Sequence, residues 1–114
     1  MLFRSYLDSL ERMKALPKDT LVLPSHGRPF KGLHTRVDQL VAHHDDRFAE
    51  VRAACAEAPQ NAHDLLMVLF KRKLDLHQTT FAMGESVAHL HALWYRGELK
   101  RHLDADGIYR FSPA

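Results

Sequence analysis

The pattern of apolar and polar residues is clearest in residues 81–97, where it predicts a helix that is buried on one side. Apolar side chains recur there at spacings of four, three and four residues, which places them on one stripe of a helix. They are Met83, Val87, Leu90 and Trp94. Gly97 follows at the position where a helix commonly ends in a residue with positive φ. We therefore expect a core helix that ends at Gly97.

The segment after Gly97 has the pattern of a β-hairpin. Residues 99–103 alternate in character, residues 104–107 read Asp-Ala-Asp-Gly, a strong turn signal, and residues 108–111 supply a returning strand. Upstream, the pattern predicts a helix over residues 62–73, with Asn61 as its N-cap and Asp64 completing a partial capping box. Its buried side chains would be Leu65, Leu66, Leu69 and Phe70.

Gly84 is expected to divide a short second helix from a longer third helix that begins near Glu85. Helices followed by a hairpin are typical of a winged helix. We therefore predict a winged helix over residues 62–114.

The first half of the chain predicts two helices around a short apolar run. Residues 5–16 are amphipathic and end at Pro17, and residues 20–23 read as a buried strand. Such a short strand needs a partner, either within this chain or in a sheet outside it. Thr35 is a plausible N-cap for a long helix that extends to Glu57. The apolar face of that helix would hold Val37, Leu40, Val41, His44, Phe48, Val51 and Cys55.

Composition narrows the class of protein. The chain has 114 residues, 46% of them hydrophobic, one cysteine and a net charge of +2. One cysteine excludes an internal disulfide framework, and no apolar run approaches the roughly 20 residues that span a bilayer. We expect a cytoplasmic protein without a membrane partner. Its mild positive charge supports a nucleic-acid partner only weakly.

Nine histidines invite a metal hypothesis, which their spacing mostly argues against. Residues 43–46 read His-His-Asp-Asp, but neighbouring residues on a helix point about 100° apart and cannot converge on one ion. His44 is expected to pack on the buried face. His89 and His91 would point to nearly opposite sides of a helix. No complete catalytic constellation is present, so we predict no catalytic residue in this chain.

His26 differs because it follows the predicted strand on a loop of Pro24, Ser25 and Gly27. A ligand at the end of a strand is held by rigid backbone while its side chain opens into a cleft. His26 is thus either a metal ligand or an ordinary loop histidine. One histidine does not make a zinc site, which takes three or four protein ligands.

Residues 21–33 resemble the last metal-ligand loop of metallo-β-lactamase superfamily hydrolases. The later pattern resembles the winged-helix extension that one branch of that superfamily carries at its C-terminus, so the resemblance covers residues 4–111. The residues that carry this second part are His43, His44, Arg47, Ala62, Leu69, Phe70, Phe81, Ala82, Gly84, Glu85, Ala88, His89, Leu90, Leu93 and Gly97. Ser25 departs from the family, which often has glycine there.

The resemblance implies that His26 binds the second metal ion of a hydrolytic centre that uses zinc. The family signature His-x-His-x-Asp-His is absent from the 114 residues. The chain is therefore expected to be the C-terminal fragment of a longer hydrolase, inactive and without bound zinc when alone. Its partner would be the missing N-terminal catalytic domain, and the extension would shape the cleft or a homo-oligomer.

The resulting expectation is a mostly helical α+β chain in three parts. Residues 1–34 would be a helix-strand remnant of an αββα catalytic sandwich, residues 35–61 a connecting helix and residues 62–114 the winged helix. Four basic side chains are candidates for contact with a polyanion: Arg96, Lys100, Arg101 and Arg110.

The alternative is a free-standing winged-helix module that binds nucleic acid. A helix that reads DNA exposes several Arg, Lys, Asn or Gln side chains, whereas residues 85–95 contain no Lys or Arg.

Overall fold

The computed structural model describes residues 2–114, and for Leu2 the backbone alone. Met1, the first residue of the predicted 1–34 segment, lies outside the described residues. The described part is mostly helical with one small antiparallel sheet. Its elements are α1 (Leu2–Met13), α2 (Leu33–Glu57), α3 (Leu66–Leu69), α4 (Leu76–Tyr95), β1 (Leu99–Leu103) and β2 (Tyr109–Pro113). None of these helices combines the length and the apolar character needed to cross a membrane.

The chain divides into two compact units, Met1–Asp45 and Asp46–Ala114, with the boundary inside α2. In the first unit, α1 and the start of α2 pack through Leu10, Leu33 and Val37. Helix α1 begins and ends three residues earlier than predicted. Residues 14–16 form tighter turns instead, because the residue before Pro17 is disfavoured in the α conformation.

The predicted strand over residues 20–23 is wrong, because the structure has only an isolated antiparallel bridge there. Val22 and Phe30 exchange two backbone hydrogen bonds, with N···O distances of 2.8 and 3.0 Å. On the loop side of this pair, Pro24 lacks the N–H that the next hydrogen-bonded position of the ladder would need, so the pairing stops there. The partner of this segment therefore lies within the chain.

The core of the second unit is built from the C-terminal part of α2 together with α3, α4, β1 and β2. Phe48, Val51 and Leu65 in it are fully buried. The other buried apolar side chains of this unit are Cys55, Leu66, Leu69, Ala82, Leu90, Ala92, Leu93, Leu99 and Phe111. The apolar face predicted for the long helix is confirmed at Phe48, Val51 and Cys55 in this unit.

The helix predicted over residues 62–73 is wrong, because only α3 is helical there. Residues 62–65 form a turn, closed by the predicted exchange between Asn61 and Asp64: Asp64 N donates to Asn61 Oδ1 at 2.8 Å and Asn61 N donates to Asp64 Oδ2 at 2.9 Å. At the C-terminal end of α3, Phe70 is extended, and the Leu69 carbonyl accepts a hydrogen bond from Arg47 Nη1 at 3.1 Å. A contact from α2 thus occupies a carbonyl that a longer α3 would use.

Helix α4 runs without a break through Gly84, so the predicted division there is wrong. It starts in a capping box in which Asp75 and Gln78 satisfy each other's backbone N–H groups. Of the predicted apolar stripe, Leu90 is fully buried, whereas Val87 is 41% exposed. Met83 and Trp94 are half-buried.

The buried side of α4 instead includes two polar residues. Ser86 Oγ donates to the carbonyl of Ala62 at 2.6 Å, and His89 Nδ1 lies 2.7 Å from the carbonyl oxygen of Glu85. His89, which does not belong to the predicted apolar stripe, is only 3% exposed. Hydrogen bonds of this kind make burial of polar side chains tolerable.

The hairpin is confirmed. Arg101 pairs with Phe111 and Leu103 with Tyr109, and Gly97 has the expected positive φ, at 77°. On the outer side of β2, Gln60 and Phe111 exchange two backbone hydrogen bonds of 2.9 and 2.8 Å.

Candidate functional site

His26 lies at the centre of a loop in the first unit. The Val22–Phe30 bridge closes this loop, which consists of residues 23–29. Gly27 after the histidine has φ of 97°, a conformation that L side chains rarely adopt. The His26 side chain is exposed. The loop therefore has a fixed base and presents its histidine to the outside.

The residues of this chain do not by themselves fit a metal centre. Within residues 2–114, no group of three His, Cys, Asp or Glu side chains is arranged to hold a metal ion. A zinc site needs three or four such ligands. His26 could therefore act as a ligand only together with side chains supplied from outside these residues.

Of the two neighbouring histidines at 43 and 44, His44 packs against aromatic rings of α1. The ring of His44 meets Phe3 edge-on at 5.1 Å between centroids and Tyr6 at 5.9 Å. His44 is half-buried, which confirms its expected packing role, whereas His43 is exposed.

His89 and His91 have separate environments. The His89 ring is buried beside Phe48, with 5.2 Å between centroids. His91 is half-buried and meets the ring of Phe111 at 5.3 Å. The two side chains do not share a site.

The four candidate basic residues do not form one surface. Arg96 lies over the ring of Phe48 at 4.6 Å, and Lys100 is exposed. Lys100 and Arg101 are neighbours on β1 and so point to opposite faces of the hairpin. The cations are therefore spread over several environments.

Arg110 is neutralised by three aspartates. It donates to Asp104, lies 3.3 Å from Asp106 through Nη2 and 3.6 Å from Asp64 through Nη1. The hydrogen bond with Asp104 is the main cause that raises the pKa of Arg110. A guanidinium surrounded by three carboxylates has little attraction left for a polyanion.

A groove with a volume of about 560 Å³ lies between α4 and the hairpin. It was not predicted from the sequence. Its walls are mostly apolar, and Arg101 and His91 are among its polar lining residues. The Arg101 guanidinium is 3.9 Å from the centroid of Trp94 and 4.2 Å from that of Tyr109. One signal was available: Arg101 alternates in step with Leu99, which places both on one face of the strand.

Comparison with known proteins gives one family and related solved structures. Residues 48–114 match the family described as metallo-beta-lactamase-like, C-terminal domain. A beta-lactamase domain protein from Burkholderia ambifaria is 54% identical, with a TM-score of 0.92 over 96% of this chain and 32% of that one. A metallo-beta-lactamase family protein from Thermus thermophilus is 28% identical, with a TM-score of 0.79 over 97% of this chain and 33% of that one. The chain thus spans about a third of the length of each. No curated protein matches it.

Proposed function

The chain belongs to the metallo-beta-lactamase-like C-terminal domain family, and from this membership we propose that it acts as the C-terminal accessory part of a metal-dependent hydrolase. The observation that carries the proposal is the length of its relatives, of which it covers 32% and 33%. Residues with the catalytic chemistry would then lie in the part of the protein that precedes this chain.

We propose that His26 is the one metal ligand that this chain contributes. Its position at the centre of a loop with a closed base, and the exposure of its ring, support this role. The other ligands would come from the catalytic domain. Zinc is the metal we favour, because it is commonly held by histidine, and when bound in such a site it generates a hydroxide near neutral pH.

We propose a separate role for each of the three segments predicted from the sequence. Residues 1–34 would complete an αββα catalytic sandwich, residues 35–61 would connect, and residues 62–114 would be a winged helix. The order of α3, α4 and the β1–β2 hairpin supports the last assignment. The winged helix would shape the cleft beside the metal centre or provide an interaction surface.

The metal content of the native polypeptide tests the role of His26. We expect His26→Ala to lower the number of zinc ions bound per polypeptide and to abolish hydrolysis. His43→Ala is the matched control, since it removes an exposed histidine of the same unit. Equal zinc content in the His26→Ala variant and the unaltered protein would contradict the assignment.

The alternative, a free-standing module for nucleic acid, draws less support from the arrangement of charge. Arg110 is occupied by aspartates, and the helix that would enter a groove of DNA has no Lys or Arg over residues 85–95.

A further inference from the structure

The two faces of the hairpin carry arginines in opposite electrostatic situations. Arg110 lies among Asp64, Asp104 and Asp106. Within residues 2–114, the side chain of Arg101 has no carboxylate within ion-pair distance. The aspartates of this region are thus taken up by one arginine, and the other faces the groove with its charge unbalanced.

The guanidinium of Arg101 is held in place from three directions. Trp94 and Tyr109 stack on it, at 3.9 and 4.2 Å from their ring centroids, and Nη1 lies 3.1 Å from His91 Nε2. Stacking on aromatic rings is favourable for a guanidinium and leaves its edge available for hydrogen bonds.

His91 is arranged as an acceptor for Arg101. Its Nδ1 lies 2.9 Å from the carbonyl oxygen of Val87, so Nδ1 carries the proton that this carbonyl accepts. Nε2 is then the acceptor of the Arg101 N–H. Within the described residues this is the only hydrogen bond from the Arg101 side chain, so most of its five N–H donors lack a protein partner.

The groove beside this edge suits the apolar body of a small molecule. Its volume of about 560 Å³ falls within the range of small-molecule sites, and none of its lining residues is acidic. Met83, Val87, Leu90 and Ile108 are apolar lining residues. A mostly apolar groove with one fixed, planar guanidinium, that of Arg101, is suited to bind a carboxylate attached to a hydrophobic group.

We propose that this groove binds a small organic acid, with its apolar body between α4 and the hairpin and its carboxylate on the edge of Arg101. The groove offers one arginine and apolar walls, which favours a monoanion over a phosphate dianion. Its limited volume favours a free small molecule over a protein segment. The proposal is independent of His26 and of any metal ion.

The first test compares acids with their uncharged counterparts on the full chain. The probes are 4-phenylbutyrate, 4-cyclohexylbutyrate and octanoate, each paired with its primary amide. Trp94 is the only tryptophan and stacks on Arg101, so its fluorescence reports directly on the site. We expect at least one acid to bind and its amide to bind about ten- to a hundredfold more weakly, because the amide lacks the charge.

The second test uses two charge-removing variants on the same strand. Arg101→Gln should weaken binding of the acid by at least about tenfold. Lys100→Gln removes the same charge from the opposite face and should leave binding unchanged. Arg101→Lys keeps the charge without the planar fork and should bind with intermediate affinity. Circular dichroism of each variant separates lost binding from lost folding.

Three outcomes would overturn the proposal. The first is that none of the acids binds the unaltered chain. The second is that acid and amide bind equally well, and the third is that Lys100→Gln weakens binding as much as Arg101→Gln does. Binding of a peptide with a C-terminal phenylalanine, in the absence of binding by any free acid, would also assign the groove to a protein partner. The comparison of acid with amide needs no variant, so a failure of Arg101→Gln to fold would not leave the question open.

Discussion

Cys55 is a titratable group in the core of the second unit. It is 1% exposed, and burial raises the pKa of its thiol from 9.0 to about 11. Above pH 9 the unfolded chain loses this proton before the folded chain does, so stability is full below pH 9 and falls as the pH rises toward 11. The loss should be roughly 2 to 3 kcal/mol.

Urea unfolding at a series of pH values measures this loss. Cys55→Ala is the control, because its other groups titrate as before and the thiol is gone. We expect the free energy of unfolding to fall more steeply with pH in the unaltered chain. Parallel curves for the two proteins would contradict the shifted pKa.

Two leucines of α4 allow a matched test of the core. Leu90 is fully buried and Leu76 is 87% exposed. Leu90→Ala should lower the free energy of unfolding by about 2 to 5 kcal/mol, because it removes buried methyl groups and leaves a cavity. Leu76→Ala should change it by no more than about 0.5 kcal/mol. Similar losses in urea unfolding would contradict the assigned orientation of the helix.

For single residues, the sequence predicted which side chains share a face of a helix or strand better than it predicted which charged groups surround an arginine. Arg101 and Arg110 looked equivalent as candidate contacts for a polyanion. Two of the carboxylates that distinguish Arg110 belong to the predicted turn, Asp104 and Asp106, and the third belongs to Asp64, which is far from Arg110 in the chain and 3.6 Å from it in the structure. The spacing of the turn residues did not show which of the two arginines their carboxylates would contact. His89 lies outside the predicted apolar stripe and is nevertheless buried, because a hydrogen bond to the carbonyl of Glu85 makes burial of its polar ring tolerable.

Two glycines, one inside α4 and one just after it, should respond in opposite ways to the same substitution. Gly84 lies within the helix with open space around its missing side chain, so Gly84→Ala should stabilise the chain by about 0.5 to 1 kcal/mol. Gly97 has φ of 77°, also in open space, so Gly97→Ala should destabilise it by about 1 kcal/mol through backbone strain alone. Thermal unfolding of both variants gives the signs, and equal signs would contradict this account of the helix end.

The start of α4 depends on the Asp75 cap. Asp75→Ala should lower the free energy of unfolding by about 1 kcal/mol, because the N–H of Gln78 loses the carboxylate that accepts it. Asp75→Asn preserves an acceptor and is the matched control. The measurement is urea unfolding, and a loss in the asparagine variant as large as that in the alanine variant would show that the cap bond is not the cause.

At the scale of elements, the sequence predicted the features that depend on neighbouring residues and did not predict those that depend on contacts between elements. The hairpin, the Asn61–Asp64 exchange and Gly97 were predicted because turn chemistry lies within a few residues. The length of α3 was missed because Arg47, on α2, contacts the Leu69 carbonyl. The sequence predicts a helix boundary at Gly84, but one glycine costs a helix only about 1 kcal/mol, and the packing of α4 outweighs that cost.

At the scale of the whole molecule, only one residue of the candidate metal site, His26, could be predicted from the sequence. The loop around His26 carries enough local sequence to be recognised, and the Val22–Phe30 bridge gives it a closed base. A metal centre needs several ligands that converge in space, and residues 2–114 do not bring such a group together. The proposed hydrolase therefore depends on residues outside this chain.

The mass of the native polypeptide in its source cells is the most direct test of that dependence. Immunoprecipitation followed by intact-mass spectrometry would measure it. Because the chain covers 32% and 33% of its solved relatives, we predict a polypeptide about three times as long as the 114 residues. A native product of 114 residues would contradict the account, since His26 would then have no partners and the chain would act by binding alone.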